Sequence, residues 1–479
     1  MRVSTSSSWL ACRAVFFLLC IAISVYYGEE TSWAFCLSFA ISVVFGVIGI
    51  LLGRGASTVI GKREGSVIVT GTWIIFSFIG LLPYWVSGYI PSFTDAFFET
   101  MSGFTTTGST ILPNIEVIPR SLLFWRSLTH WIGGLGIVVI TMAILPIFGF
   151  NGSQIYTAEV TGLSKEKLHP KISGTAKRLF IIYLVMSFSG IAALWLAGMS
   201  PFDAVNHALS TVSTGGFSTK NTSIAYWHSP AIEWIIIVLM TGSAINLSLY
   251  YFLAVGNFRR FFKDEEMRTL IAIIVSTSAI IVFTQLIFWG FPLEDIGENV
   301  RGALFTVSSL ISTTGFYSVD YSGWISVAYM LLLLTFVGGS AGSTSGGIKV
   351  IRVLLVFKYC YYEFKRMVHP HAVFPVRYNG RAVKEEYITR MLAFILLYVI
   401  LSLFGAMILC MSGLGFEESI SSMVSCLGNV GPGLGHLGPL DNYQSLPAFA
   451  KWFMSFAMLV GRLEFFTVLL IFTPNFWKR

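Results

Sequence analysis

The feature that most constrains this chain is the length pattern of its apolar runs. A bilayer core of about 30 Å takes roughly 20 apolar residues per helix. Runs of that size lie at 9–27, 32–53, 66–89, 121–146, 176–199, 230–256, 269–291, 322–358, 387–412 and 447–471. Between the third and fourth, fifth and sixth, seventh and eighth, and ninth and tenth lie shorter apolar segments, 92–104, 202–213, 299–312 and 417–428. These are too short to cross a bilayer and have the length of re-entrant segments. Only 11% of the 479 residues are charged and 55% are hydrophobic, whereas soluble domains carry about 25% charged residues. The pattern predicts an all-α integral membrane protein with about ten transmembrane helices. Four helix–pore loop–helix units follow an N-terminal helix pair. The expected divisions are 1–60, 61–165, 166–265, 266–365 and 366–479, with the second helix of the 266–365 unit broken. The run 9–27 is followed by no small-residue cleavage site, so it reads as a retained span.

Charge placement orients the spans. Arg54, Lys62 and Arg63 follow the second run; Lys165, Lys167, Lys171, Lys177 and Arg178 follow the fourth; Arg259, Arg260, Lys263 and Arg268 follow the sixth. Lys349, Arg352, Lys358, Lys365, Arg366, Arg377, Arg381, Lys384 and Arg390 lie between the eighth and ninth. With Arg2, Lys478 and Arg479 these make 24 of the 31 basic residues on one side. The positive-inside rule puts that side and both termini in the cytoplasm, with the short segments entering from outside. The net charge of +7 is therefore a topology signal. A nucleic-acid partner is excluded, because the charge is divided among loops with no aromatic platform between them. The six cysteines are scattered with no zinc-ligand spacing, so neither a disulfide framework nor a metal site is expected.

Each short segment ends in one signature: Thr105-Thr106-Thr107-Gly108-Ser109-Thr110, Ser213-Thr214-Gly215-Gly216-Phe217-Ser218, Ser312-Thr313-Thr314-Gly315-Phe316-Tyr317 and Gly428-Asn429-Val430-Gly431-Pro432. An ion leaving water needs its hydration shell replaced, and rings of backbone carbonyls do this. Aiming successive carbonyls at one axis needs unusual backbone angles, which glycine supplies cheaply. Irregular backbone at membrane depth survives only where it lines a cavity or is packed in protein. Fourfold recurrence in one context points to a single cation filter built from Thr106, Thr107, Gly108, Thr214, Gly215, Gly216, Thr313, Thr314, Gly315, Asn429, Val430 and Gly431. The competing reading is a set of polar helix breaks used for packing. Asp95, Asp203 and Glu418 fall thirteen residues before their glycines. They suit the positive ends of short helices and either line an outer vestibule or serve as caps alone.

The eighth run is broken by Gly338-Gly339-Ser340-Ala341-Gly342-Ser343-Thr344-Ser345-Gly346-Gly347, which cannot form a lipid-facing helix. A phosphate loop is excluded: Ile348 precedes Lys349, and no hydroxyl follows the lysine. Arg462 and Glu464 stand in the last run. A charge in a span costs about 2.5–3.5 kcal/mol on insertion scales and is a functional candidate by default. Arg462 reads as a pore-facing barrier or as half of a structural ion pair, and Glu464, on another face, pairs elsewhere.

On these motifs the chain resembles the potassium-translocating subunits of the Trk/Ktr/HKT superfamily over nearly its full length. It is closest to the bacterial Trk-type membrane subunit, because two spans precede the first unit. The resemblance implies one filter glycine per unit, here Gly108, Gly216, Gly315 and Gly431, with potassium as substrate and no cofactor of the chain's own. Some plant relatives with serine at the first position favour sodium, so Gly108 points to potassium. It further implies an intramembrane gating loop, assigned to Gly338, Gly339, Gly342, Ser343, Gly346, Gly347 and Lys349 with Arg462 opposite, and a homodimer in the bacterial cytoplasmic (inner) membrane. It also implies a cytosolic nucleotide-binding regulatory ring; the basic loops 256–268 and 349–390 are candidate docking surfaces for it, or their charge serves topology alone. A sodium-permeable or cation-coupled potassium transporter stays open, as does, remotely, a multispan membrane enzyme, for which no convergent acid–base set is found.

Overall fold

The computed structural model describes residues 2–52, 62–144, 172–288 and 292–477. Arg54, Lys165, Lys167, Lys171, Lys478 and Arg479, and the end of the fourth expected run, lie outside the described residues. The described chain is mostly helical, with irregular loops between helices and one short strand pair. Arg377–Tyr378 pairs antiparallel with Arg381–Ala382 around Asn379 and Gly380, both at positive φ. An Asn-Gly pair favours this hairpin turn.

An N-terminal hairpin, Arg2–Tyr27 and Ser32–Leu52, packs on the helix Arg120–Ile144. Glu29, in its turn, accepts from the backbone N–H groups of Arg120 (2.6 Å) and Ser121 (3.0 Å). One carboxylate thus satisfies two orphan donors and the positive end of a helix dipole. The outer wall includes Ser32–Leu51 and Lys177–Leu196, each 28% buried, and Glu265–Phe288 and Glu385–Met411, each 33% buried. With lipid as solvent, such apolar faces need no protein cover.

The four short segments form helices Phe93–Phe104, Pro201–Val212, Ile296–Ile311 and Phe416–Gly428. In the first, every side chain from Ala96 to Phe104 is buried. Ser92 and Ser200 cap the first two, accepting from Asp95 N and Asp203 N.

Five described helices are long and apolar enough to cross a membrane, or seven if bent pairs count once. The runs 230–256 and 447–471, expected to be continuous, are not. Pro230–Ala244 and Leu247–Ala254 meet at 102°, and Ala448–Arg462 and Phe465–Phe472 at 115°. At the first break Asn246 caps the new helix, accepting from Ser248 N at 2.9 Å. At the second, Glu464 has φ +60° and pairs with Arg352 at 2.9 Å. The interruption between Ala328–Val337 and Val350–Val368 matches expectation. The three breaks meet: Leu247 N donates to Gly342 O (3.1 Å) and Arg462 Nη1 to Thr344 O (2.8 Å).

Candidate functional site

The signatures begin as helix ends. In each, the residue two before the glycine is left-handed: Thr106 (φ 52°), Thr214 (57°), Thr313 (58°) and Asn429 (54°). The next residue's N–H reaches back to a serine carbonyl: Thr107 to Ser102 (2.9 Å), Gly215 to Ser210 (2.8 Å), Thr314 to Ser309 (2.9 Å) and Val430 to Ser425 (2.9 Å). This is a Schellman-type helix ending, which usually has glycine at the left-handed position. A threonine there costs about 1–2 kcal/mol. Asparagine tolerates the conformation better, so Asn429 preserves the turn where the fourth signature departs from threonine.

The four predicted filter glycines then take positive φ: Gly108 85°, Gly216 86°, Gly315 80° and Gly431 111°. Alternating left-handed positions let successive carbonyls face one side. The glycines also close a ring. A Cβ on Gly108 would collide with the carbonyl oxygen of Gly215, on Gly216 with that of Thr314, on Gly315 with that of Val430, and on Gly431 with that of Thr107. Each strand therefore abuts the carbonyl that precedes the next strand's glycine, and the fourth returns to the first. All four glycines line one cavity of about 100 Å³ at the candidate mouth of the ring.

The strand hydroxyls other than that of Thr106 are taken by protein partners. Thr107 Oγ1 bonds to Thr105 Oγ1 (2.8 Å) and Thr314 Oγ1 to Ser312 Oγ (2.7 Å), so both turn into the wall. Thr214 Oγ1 donates to Ser213 O (2.7 Å). Thr106 Oγ1 and Asn429 Oδ1 are buried without a protein partner. The second strand has Gly215 where two others have threonine, because the His130 ring fills that space. His130 stacks on Phe217 at 4.1 Å and bonds to Ser210.

The broken segment packs directly under this ring. Gly346 N donates to Thr313 Oγ1 (2.8 Å), Thr344 Oγ1 to Val212 O (3.0 Å) and Ser340 N to Ala244 O (2.8 Å). Gly346 lies so close to Gly428 O that a Cβ would not fit. Gly338, Gly342, Gly347 and Lys349 have positive φ, and a Cβ on Gly339 would meet Ser345 Oγ. Ser343 is buried and bonds to Ser345 Oγ, while Lys349 Nζ donates to Ser345 O. Arg462, 3% exposed, donates to Thr344 O at 2.8 Å and to Gly133 O at 3.5 Å. Its charge thus sits at the loop, and Glu464 pairs with Arg352 rather than with it.

The three predicted outer carboxylates stand in the first turns of their helices, and none lines the mouth cavity. Asp95 pairs with Lys451 at 2.6 Å. Asp203 accepts from Ser200 Oγ (2.8 Å) and Thr219 Oγ1 (2.6 Å). Glu418 is half-buried. The carboxylate that does line the cavity is Asp441, together with Lys220 and Arg126.

Sequence reasoning missed three charged residues. Glu99 and Arg126 form an ion pair at 2.8 Å, each about 1% exposed. Glu266, buried, accepts from Ala341 N (2.7 Å) inside the broken segment and Ile351 N (3.2 Å) just beyond it. Glu99 and Arg126 lie inside apolar runs, so the cost rule that singled out Arg462 would have found them. Glu266 precedes its run and looks like an ordinary interfacial residue.

The TrkH family, described as cation transport protein, matches residues 32–479. The Trk system potassium uptake protein TrkH of Salmonella typhimurium is 37% identical, covering 95% of this chain and 94% of its own. Its namesake in Escherichia coli K12 is 36% identical over 95% and 94%. The crystal structure of the potassium transporter TrkH from Vibrio parahaemolyticus superposes with a TM-score of 0.90 at 33% identity, covering 99% of both chains.

Proposed function

Since the chain belongs to the TrkH family of cation transport proteins, we propose that its four glycine turns are the potassium filter through which it works. The protein is a multi-pass membrane protein that takes up potassium. The single observation that carries the filter assignment is the closed ring, in which each glycine abuts the carbonyl before the next. The ring's ligands are the carbonyls of residues 106–108, 214–216, 313–315 and 429–431, one set from each of four repeats. Residues 338–347, with Lys349 and Arg462, are the gate, which here occupies the space beneath Thr313. Of the acidic residues, Asp441 lines the cavity that an entering cation meets.

Orientation follows the basic loops, so both termini face the cytoplasm of a bacterial inner membrane. An inside-negative potential then drives entry by about 2.3 kcal/mol per charge per 100 mV. The chain pairs as a homodimer, and a cytosolic nucleotide-binding ring docks on the basic loops. Flux of potassium, sodium and protons into liposomes containing the purified protein tests the reading. Potassium should enter down its own gradient, in preference to sodium and without proton coupling. A Gly108→Ser variant that kept the potassium preference unchanged would remove the filter assignment.

A further inference from the structure

Glu99 and Arg126 have no role in the ring or the loop, yet they are the most deeply buried opposite charges described. Taking two charges out of water costs several kcal/mol per ion, and a buried pair is weak evidence of stability alone. Their geometry gives the reason to look further. Counted from the filter glycine, Glu99 is nine residues upstream, where the second unit has His207. Two residues downstream of the glycines stand Thr110 and Ser218.

In both units the upstream side chain holds the downstream residue. Thr110 Oγ1 donates to the Glu99 carboxylate at 3.0 and 3.1 Å, and Ile111 N donates to it at 2.9 Å. His207 Nε2 bonds Ser218 Oγ at 2.9 Å. Arg126 then joins the two strands. Its Nε donates to Glu99 Oε1 (2.8 Å), its Nη2 to Thr110 Oγ1 (3.2 Å) and its Nη1 to Ser218 O (3.1 Å). The guanidinium lies 4.0 Å from the Phe217 ring centroid, so its plane is held as well as its charge. One planar group therefore ties the outer end of the first filter strand to that of the second. This is the same seam where Gly108 abuts Gly215 O. The half-buried pair Glu233–Arg301 has no hydrogen bond to a filter strand among the described residues.

We propose that Glu99 and Arg126 are positioning residues for ion selectivity, fixing the separation of the first and second filter strands. The proposal rests on the potassium-uptake reading. Discrimination between potassium and sodium depends on the number and placement of the carbonyls around the ion. Releasing the clamp lets this seam relax around the smaller ion, which raises relative sodium permeation without closing the path. Lysine cannot replace the arginine, because a point charge cannot serve Glu99, Thr110 and Ser218 O in one plane.

The test uses full-length protein in liposomes, with potassium and sodium flux measured separately under one imposed potential. Arg126→Met and Arg126→Lys should each lower the potassium-to-sodium ratio by about tenfold, equivalent to about 1.4 kcal/mol, while sodium flux is kept or raised. Glu99→Gln should shift the ratio in the same direction. If Arg126→Met fails to fold, the double variant Glu99→Gln/Arg126→Met, which leaves no lone buried charge, is read the same way. Thr110→Val removes only the shared hydroxyl and should give a smaller shift. Potassium and sodium fluxes that fall in proportion, or a ratio equal to the parent's, would overturn the clamp. A parent protein that carries no potassium would instead overturn the uptake reading, so the two failures are distinct.

Discussion

Alanine at each filter glycine in turn gives a graded test of the ring. On Gly431 a Cβ would stand 2.6 Å from Thr107 O. To reach the 3.0 Å below which real Cβ atoms essentially never come, those atoms must part by about 0.4 Å. Alanine at φ 111° also carries left-handed strain of about 1–2 kcal/mol. If that strain is relieved by displacing the Thr107 carbonyl, an equilibrium at the site changes by a factor of about 5–30. Gly431→Ala should therefore lower the potassium-to-sodium flux ratio by about 5- to 30-fold. At Gly216 the built Cβ runs much deeper into Thr314 O, and at Gly315 it also meets Pro432 Cδ at 2.9 Å. Gly216→Ala and Gly315→Ala should cost more selectivity than Gly431→Ala, or all potassium flux. The assay is paired potassium and sodium flux in liposomes, on protein whose elution and thermal unfolding match the parent's. A reversed order, with Gly431→Ala the most damaging, or unchanged ratios throughout, would refute the ring geometry.

Further outcomes follow from the same contacts. Deleting Gly338 to Gly347 should raise resting flux in folded protein, since the segment fills the space under Thr313; flux that is unchanged or lost counts against a gate. Glu266→Ala removes the side chain that accepts from Ala341 N and Ile351 N and leaves both buried donors unpaired, so resting flux should rise severalfold with selectivity intact. Lys451→Met leaves the Asp95 carboxylate without its ion-pair partner and should cost about 1–3 kcal/mol of stability, seen as a lower thermal midpoint in detergent at neutral pH.

Much of the architecture was legible because lipid imposes simple arithmetic on a chain. Segments of about 20 apolar residues must span and segments of a dozen cannot. The four short helices accordingly fall within a few residues of their expected bounds, and the left-handed turns begin where the threonine–glycine signatures do. Even the wall serines Ser102, Ser210, Ser309 and Ser425 repeat at one spacing, a signal present in the sequence but subtle beside the glycines. The hairpin at Arg377–Ala382 was missed, although its Asn-Gly turn is a readable cue.

Composition and period determined that the chain crosses a membrane, that four short segments return, and that each ends in a turn only glycine can finish. They could not determine partners. Whether Thr107 offers its hydroxyl or its carbonyl depends on Thr105 beside it, and whether Asp95 is a free charge depends on Lys451, hundreds of positions away. The bends at Asn246 and Glu464 look like continuous apolar helix, because hydropathy reports the solvent of a segment and not its direction. The order of the ring, with each glycine pressed on its neighbour's carbonyl, exists only once four distant turns share one axis. That closeness is decided by packing, since a missing Cβ has meaning only when something stands where it would have been.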